Sequence, residues 1–344
     1  MLDLIFSKEQ FYLLYLICIM IITGLIKENN LFNNIYNFLL NNIKSKRLLI
    51  TIISAISGVL PIPGRVVVSA GILDVLTSNV GAKKREKLGI LDYLATHHYY
   101  LWSPLEPTIT ILMAGLCLSW VGVLKYTWPI LLISLLFLFY YIFIFIKEDD
   151  FNLPTSSNKQ FNFLDFIKNI FPLIIAVGLI VVYPPYYVFP IFVLYYMIIT
   201  TTINPIKHIK WKLIVTLFIV ILLSNIIKTF GTEITNFIKY LTTQLNINEL
   251  ESFVLLSLIA FTASFCLGSS TKFAGITVVL TNILGIEYLS YLFVLEFCGY
   301  LLSPMHKCVL TGSGYFKTPL KDYYIVISLW CLLIMIYGCL TLIF

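Results

Sequence analysis

Long apolar runs separated by short polar joints fill most of the chain. Residues 11–26, 128–146, 164–183, 186–203, 213–230 and 323–343 are each apolar enough to cross a hydrocarbon core of about 30 Å as a helix. Two further stretches, 31–43 and 232–248, mix Phe, Ile and Leu with Asn, Thr, Lys and Gln, the pattern of an amphipathic helix lying at the interface. The remaining apolar segments are interrupted. Residues 48–80 break at Pro61, Pro63 and Gly64, and 251–285 at Gly268-Ser-Ser-Thr271, while 88–124 and 287–314 break at Ser103-Pro104 and Ser303-Pro304.

These breaks recur in order. Gly64-Arg-Val-Val-Val-Ser-Ala-Gly-Ile72 aligns with Gly268-Ser-Ser-Thr-Lys-Phe-Ala-Gly-Ile276, and Tyr100-Leu-Trp-Ser-Pro104 with Tyr300-Leu-Leu-Ser-Pro304. Irregular backbone survives inside a membrane only where protein or water satisfies its polar groups, so a duplicated pattern of breakers points to a transporter's binding site.

Charge gives the pattern a direction. Lys44, Lys46 and Arg47 precede the first interrupted segment and Lys83, Lys84, Arg85 and Lys87 follow it, which places both ends on the cytoplasmic side. Its arms of about 12–16 residues are short for full spans, favouring a re-entrant hairpin over two crossings. Residues 251–285 predict a second hairpin. Alternating the spans puts 82–87 and 204–212 in the cytoplasm, both termini outside, and five crossings between corresponding points of the two repeats. Five is odd, so the repeats are inverted. The predicted fold is an all-α polytopic membrane protein with about eight crossings and two hairpins. Its parts are a first repeat (1–146), a linker with two extra scaffold helices (147–209) and a second repeat (210–344).

Composition narrows the class. With 59% hydrophobic and 12% charged residues and a mean hydropathy of +0.93, the chain is not a soluble domain. The 23 basic residues against 17 acidic ones sit in short joints rather than on one polar face, which argues for positive-inside topology and against nucleic acid. Seven cysteines without a Cys-x-x-Cys pair indicate neither a disulfide framework nor a zinc site, and no metal site is expected. The first apolar run lacks a small-residue cleavage site and reads as a retained helix. No nucleophile motif, Walker loop or His-Glu-x-x-His occurs, so the chain is not expected to be an enzyme or an ATP-driven pump.

The candidate chemistry gathers at the breaks. At the first tip, Pro61-Ile-Pro-Gly-Arg65 ends the helical arms with freed amides, and Arg65 brings a cation whose fork suits a carboxylate or phosphate. Gly64, Arg65 and Ser69 are therefore candidates for substrate binding. At the second tip Ser269, Ser270 and Thr271 supply hydroxyls and Lys272 a second cation; Ser103, Ser303 and Lys307 join them from the breaks. Glu106 lies between two prolines and falls on His306 at an offset of 200 residues, so Glu106, His306, Thr108 and the mid-segment Glu296 are candidates for ion coupling. Purely structural roles compete: Arg65 paired with Asp74 or Glu106, and Glu106 paired with a lysine or arginine. His97 and His98 are consecutive, point to different helix faces and make a poor metal pair; with Asp92 they read as the polar side of a helix.

Leu60-Pro-Ile-Pro-Gly-Arg-Val-Val-Val-Ser-Ala70, followed by Trp102-Ser-Pro-Leu-Glu-Pro107 and Ser303-Pro-Met-His306, resembles a family of integral membrane proteins with about ten predicted spans and no assigned substrate. That family is grouped with the ion-transporter superfamily of gluconate permeases, C4-dicarboxylate carriers, citrate–metal symporters and divalent-anion:sodium symporters. The resemblance implies inverted repeats with two re-entrant hairpins, an elevator-type movement against a scaffold, and often a dimer. The characterised symporters carry Ser-Asn-Thr-type tips; here Arg65 follows the first tip and Ser-Ser-Thr forms the second.

Together these readings predict a secondary active transporter in the plasma membrane that moves a small anion, an organic carboxylate, coupled to Na⁺ or H⁺. Its expected partners are the lipid bilayer, the anion and a second copy in a homodimer, without a cofactor. The alternatives are a cation/proton antiporter using Glu106, Glu296 and Asp74, and an intramembrane enzyme or lipid-handling scaffold using His97, His98 and Asp92.

Overall fold

The computed structural model describes residues 10–29, 41–59, 81–147, 163–169, 171–202, 204–230 and 248–343, with single positions 31, 38, 39, 69, 73, 233, 236, 237 and 240 between them. The first hairpin tip with Gly64 and Arg65, Asp74, most of the linker and more than half of each interfacial stretch lie outside the described residues.

Among the described residues the chain is helical and contains no strand. In order the helices are α1 (Phe11–Glu28), α2 (Lys46–Val59), α3 (Ala82–His97), α4 (Pro107–Leu116), α5 (Trp120–Phe145), α6 (Phe163–Asn169), α7 (Phe171–Leu179) and α8 (Pro185–Thr200). They continue with α9 (Trp211–Thr229), α10 (Glu249–Leu267), α11 (Ser270–Leu284), α12 (Leu289–Leu302), α13 (Lys307–Phe316) and α14 (Leu320–Leu340). Five stretches, 11–28, 120–145, 250–267, 286–316 and 320–340, are long and apolar enough to cross a bilayer. That is the pattern of a multi-pass membrane protein.

Local chemistry sets the boundaries and corrects several expected ones. The segment expected to run to residue 124 stops at Leu116, because Cys117 takes the left-handed conformation and its amide bonds back to Met113. The next helix then begins at Trp120, eight residues before the expected 128, since the Ser119 hydroxyl accepts from the Gly122 amide as an N-cap. Of the span expected over 164–183, the described helices are α6 and α7, with residue 170 outside the described residues, and the helix ends at Leu179 rather than at 183. The first arm of the second interrupted segment is α10, started by an Asn248–Glu251 capping box and ended by Gly268 at φ 51°. At 19 residues it exceeds the expected 12–16 and is long enough to cross a membrane on its own.

The two broken segments share one backbone plan at an offset of 200 residues. Helices α4 and α13 each run ten residues from 107 and 307, with Glu106 and His306 extended at the N-cap and Cys117 and Lys317 left-handed after the C-terminus. Long helices follow from 120 and 320. The halves also interlock: α4 packs on α11, and α13 on α3. Two helix pairs cross closely, with Gly58 of α2 against the Thr96 backbone of α3 and Gly299 of α12 against the Phe261 carbonyl of α10. A side chain at either glycine would push the helices apart.

Three apolar clusters result among the described residues, the smallest at Ala260, Leu280 and Leu292. The largest joins α2–α5 with α11–α14 and takes in Leu16 and Met20 of α1 and Leu217, Val220 and Ile221 of α9. A smaller one joins α1, α7 and α8 and takes in Leu105 from the first break.

Candidate functional site

The interlock brings ionisable and hydroxyl side chains together deep in the larger core. Buried acids are Asp92 on α3, Glu106 at the first break and Glu296 on α12; buried histidines are His97, His98 and His306. No lysine or arginine is buried among the described residues. Uncompensated charge at such depth is costly, so each acid needs partners. Ser69 Oγ donates to Asp92 Oδ2 at 2.9 Å, and Thr277 Oγ1 donates to Glu296 Oε2 at 3.1 Å. In both cases the hydroxyl follows the breakers of an interrupted segment in sequence, and the acid lies on the helix that leads into a Ser-Pro break. Asp92 and Glu296 correspond under the offset of 204 that aligns Gly64 with Gly268, four residues more than the offset that aligns the breaks. Four residues is about one helical turn, so the shift keeps both acids on the same helix face.

Between the acids lies a histidine pair. His97 Nε2 is 3.2 Å from His306 Nε2, and His306 Nδ1 is 3.1 Å from Tyr93 Oη. His97 Nδ1 lies 2.6 Å from the Tyr93 carbonyl oxygen, which only accepts, so this nitrogen carries the proton and Nε2 presents a lone pair. The rings are packed in place: His97 stacks on Tyr93 with centroids 3.9 Å apart, and His306 lies 4.2 Å from Tyr300. The Tyr100 and Tyr300 hydroxyls, equivalent positions of the two halves, bond each other at 2.7 Å. Cys308, on the first turn of α13, completes a group in which the donor atoms of His97, His306 and Cys308 all lie within 4.8 Å of one another.

The two breaks differ in cover. At the first, residues 103–106 are buried, and three freed carbonyls have side-chain donors. Thr127 Oγ1 donates to Leu101 O at 2.7 Å, Trp120 Nε1 to Trp102 O at 2.7 Å, and Tyr15 Oη to Pro104 O. At the second, Pro304, Met305 and Lys307 are exposed, with Met305 62% accessible, and Tyr324 Oη donates to Ser303 O at 3.2 Å. The tip residue Gly268 lies against Ser303 and Met305, so the second hairpin turn abuts the second break.

The sequence profile of the family described as "Protein of unknown function (DUF401)" matches residues 4–344. The chain belongs to the DUF401 family. No curated protein matches it significantly.

In this DUF401 protein the expected site residues fall into three groups. Ser269, Ser270, Thr271 and the exposed Lys272 lie at the second tip, beside Ser303 and the exposed Lys307, and Ser269 and Thr271 share a hydroxyl contact of 3.3 Å. Ser69, Glu296 and His306 lie buried, and Ser69, expected at the substrate, donates to Asp92. Ser103, Glu106 and Thr108 belong to the covered first break, where Thr108 Oγ1 is 3.4 Å from Glu106 Oε1. The base that meets His306 is His97, although their correspondence in the repeat suggested Glu106. His97 and His98 do diverge as expected, His98 accepting from Trp102 Nε1 at 2.9 Å, but His97 is more than one side of a polar helix. Sequence reasoning passed over Tyr93 and Cys308, and named Asp92 and His97 only for the alternative of an intramembrane enzyme or lipid-handling scaffold. The signal for Asp92 was its match to Glu296 at the hairpin offset.

Proposed function

We propose that this DUF401 protein is a secondary active transporter, a carrier rather than an enzyme, that moves a small organic anion coupled to H⁺ or Na⁺. The observation that carries the reading is the pair of helix breaks built on one backbone plan, with buried acids and histidines between them and one break open. The open break is exposed at Pro304, Met305 and Lys307, and Lys272, Lys307 and the hydroxyls of Ser269–Thr271 supply anion-binding chemistry near it. Asp92 and Glu296, each on a hydroxyl from a hairpin arm, are suited to take up and release a coupling cation as that arm shifts.

In this reading the halves are inverted repeats with re-entrant hairpins, as in the ion-transporter superfamily, and the protein works as an elevator in the plasma membrane, commonly as a homodimer. Three contacts agree with the charge-based topology. Lys207 Nζ reaches Glu28 Oε1 at 2.5 Å, Arg85 bonds the Tyr315 carbonyl at 3.1 Å, and Thr318 Oγ1 donates to the Glu86 carbonyl at 2.9 Å. Each joins two segments assigned to the cytoplasmic side.

The test is uptake of labelled carboxylates, sulfate and phosphate into proteoliposomes, under an imposed Na⁺ or pH gradient. Gradient-dependent accumulation of a carboxylate, lost in Lys307→Ala, is the expected result. Accumulation of no anion under either gradient overturns it. A cation/proton antiporter is the second reading, favoured because the buried ionisable side chains among the described residues are acids and histidines without a buried lysine or arginine. It requires Na⁺-driven proton movement with no organic substrate and its loss in Glu106→Gln.

A further inference from the structure

We propose that His97, His306 and Cys308 form a binding site for a thiophilic monovalent metal ion of the Cu(I) class, joining α3 of the first half to α13 of the second. The site stands on local geometry and does not depend on the transport reading.

Three observations converge. The first is orientation. A ring N–H fixed on a backbone carbonyl, with the other nitrogen aimed inward, is how ligating histidines are held, and His97 has that arrangement on the Tyr93 carbonyl at 2.6 Å. The second is spacing. Two imidazole nitrogens, each about 2.0–2.1 Å from one ion at a tetrahedral angle, stand about 3.3–3.4 Å apart. The His97 and His306 Nε2 atoms are 3.2 Å apart, so neither ring has to move far to share an ion. Tyr93 can serve both states of the site: with the ion bound, its hydroxyl accepts from His306 Nδ1–H at 3.1 Å and donates to the Leu301 carbonyl at 3.4 Å, which turns both Nε2 lone pairs toward the ion; without it, the hydroxyl donates to His306 Nδ1 and His306 Nε2–H donates to His97 Nε2.

The third observation is the donor set. One sulfur and two imidazoles, with all three donor atoms within 4.8 Å of one another, form a soft set that favours Cu(I) or zinc over Mg²⁺ or Ca²⁺. Net charge separates the first two. The cluster contains no carboxylate, and His97 and His306 are 0% and 2% exposed. A monovalent ion on one thiolate and two neutral imidazoles is neutral overall, whereas Zn²⁺ would leave a buried positive charge. Binding exchanges the Cys308 thiol proton for the metal, so one proton is released per ion and no oxidant or reductant is consumed.

The experiment uses the full chain in detergent, with the exposed Cys117, Cys266 and Cys339 changed to serine and Ag⁺ as a redox-inert probe. Bound metal is counted by mass spectrometry after gel filtration, and proton release is followed with an indicator in weak buffer. The expected result is one Ag⁺ and one released proton per chain, with at least tenfold weaker binding in both Cys308→Ser and His97→Gln. An unchanged elution profile for Cys308→Ser shows that the loss is not unfolding. No bound Ag⁺, binding unaffected by either substitution, or Zn²⁺ held more tightly than Ag⁺ overturns the proposal.

Discussion

The two helix breaks have the same backbone and opposite surroundings. At 102–106 the chain leaves the helix inside the protein, and Thr127, Trp120 and Tyr15 supply the donors that its carbonyls lose. At 302–306 the same departure carries Pro304, Met305 and Lys307 to the surface beside the Gly268 turn. Unpaired backbone inside a membrane must find protein or water, and the protein uses one solution in each half. A duplicated motif therefore need not be duplicated in its surroundings: the covered copy is closed by side chains of the protein and the open copy reaches the surface.

The contrast is most exposed to test by labelling. With single cysteines placed at Met305 and at Leu105, a polar thiol reagent should modify the first at least about 100-fold faster, because the buried position reacts only through local opening. Comparable rates would erase the distinction. Asp92 and Glu296 are expected to act alike across the halves. Under the transporter reading Asp92→Asn and Glu296→Gln should each cut gradient-driven flux by about 100-fold, measured in proteoliposomes, while elution on gel filtration is unchanged. A defect in only one would confine coupling to one half.

Stability should follow cover as well. Tyr15→Phe leaves the buried Pro104 carbonyl without its donor and should cost about 1–3 kcal/mol, whereas Tyr324→Phe should cost no more than about 1 kcal/mol, because the Ser303 carbonyl keeps the His306 amide as a donor. Thermal unfolding in detergent reads both. The smallest effect should be shared: Cys117→Gly and Lys317→Gly relieve the same left-handed strain and should each raise stability by up to about 1 kcal/mol.

The breakers were the legible part of this chain, because proline, glycine and hydroxyl residues act locally. Gly268, Pro107 and the two Ser-Pro steps end or start helices as their chemistry dictates, and the repeated backbone plan follows the repeated sequence. Hydropathy served the ends of helices less well. It could not distinguish the αL turn at Cys117 from continued helix, nor see that Ser119 caps a helix eight residues ahead of the expected start. The centre was least legible. His97 meets His306 across 209 residues through the packing of α3 on α13, a relation that no single-segment pattern contains. The repeat was itself misleading here, since equating Glu106 with His306 identified equivalent positions rather than neighbours.

The Tyr100–Tyr300 hydroxyl pair limits where this molecule is able to divide. Together with α4 on α11 and α13 on α3, it pins the broken helices of both halves into one keel. The core that α1 shares with α7 and α8 meets this keel at Leu105 and at the Tyr15–Pro104 bond, and α1 also adds Leu16 and Met20 to the largest core. The closed break is then also a rivet: Tyr15, one of the side chains that complete its backbone, fastens α1 to the broken helices.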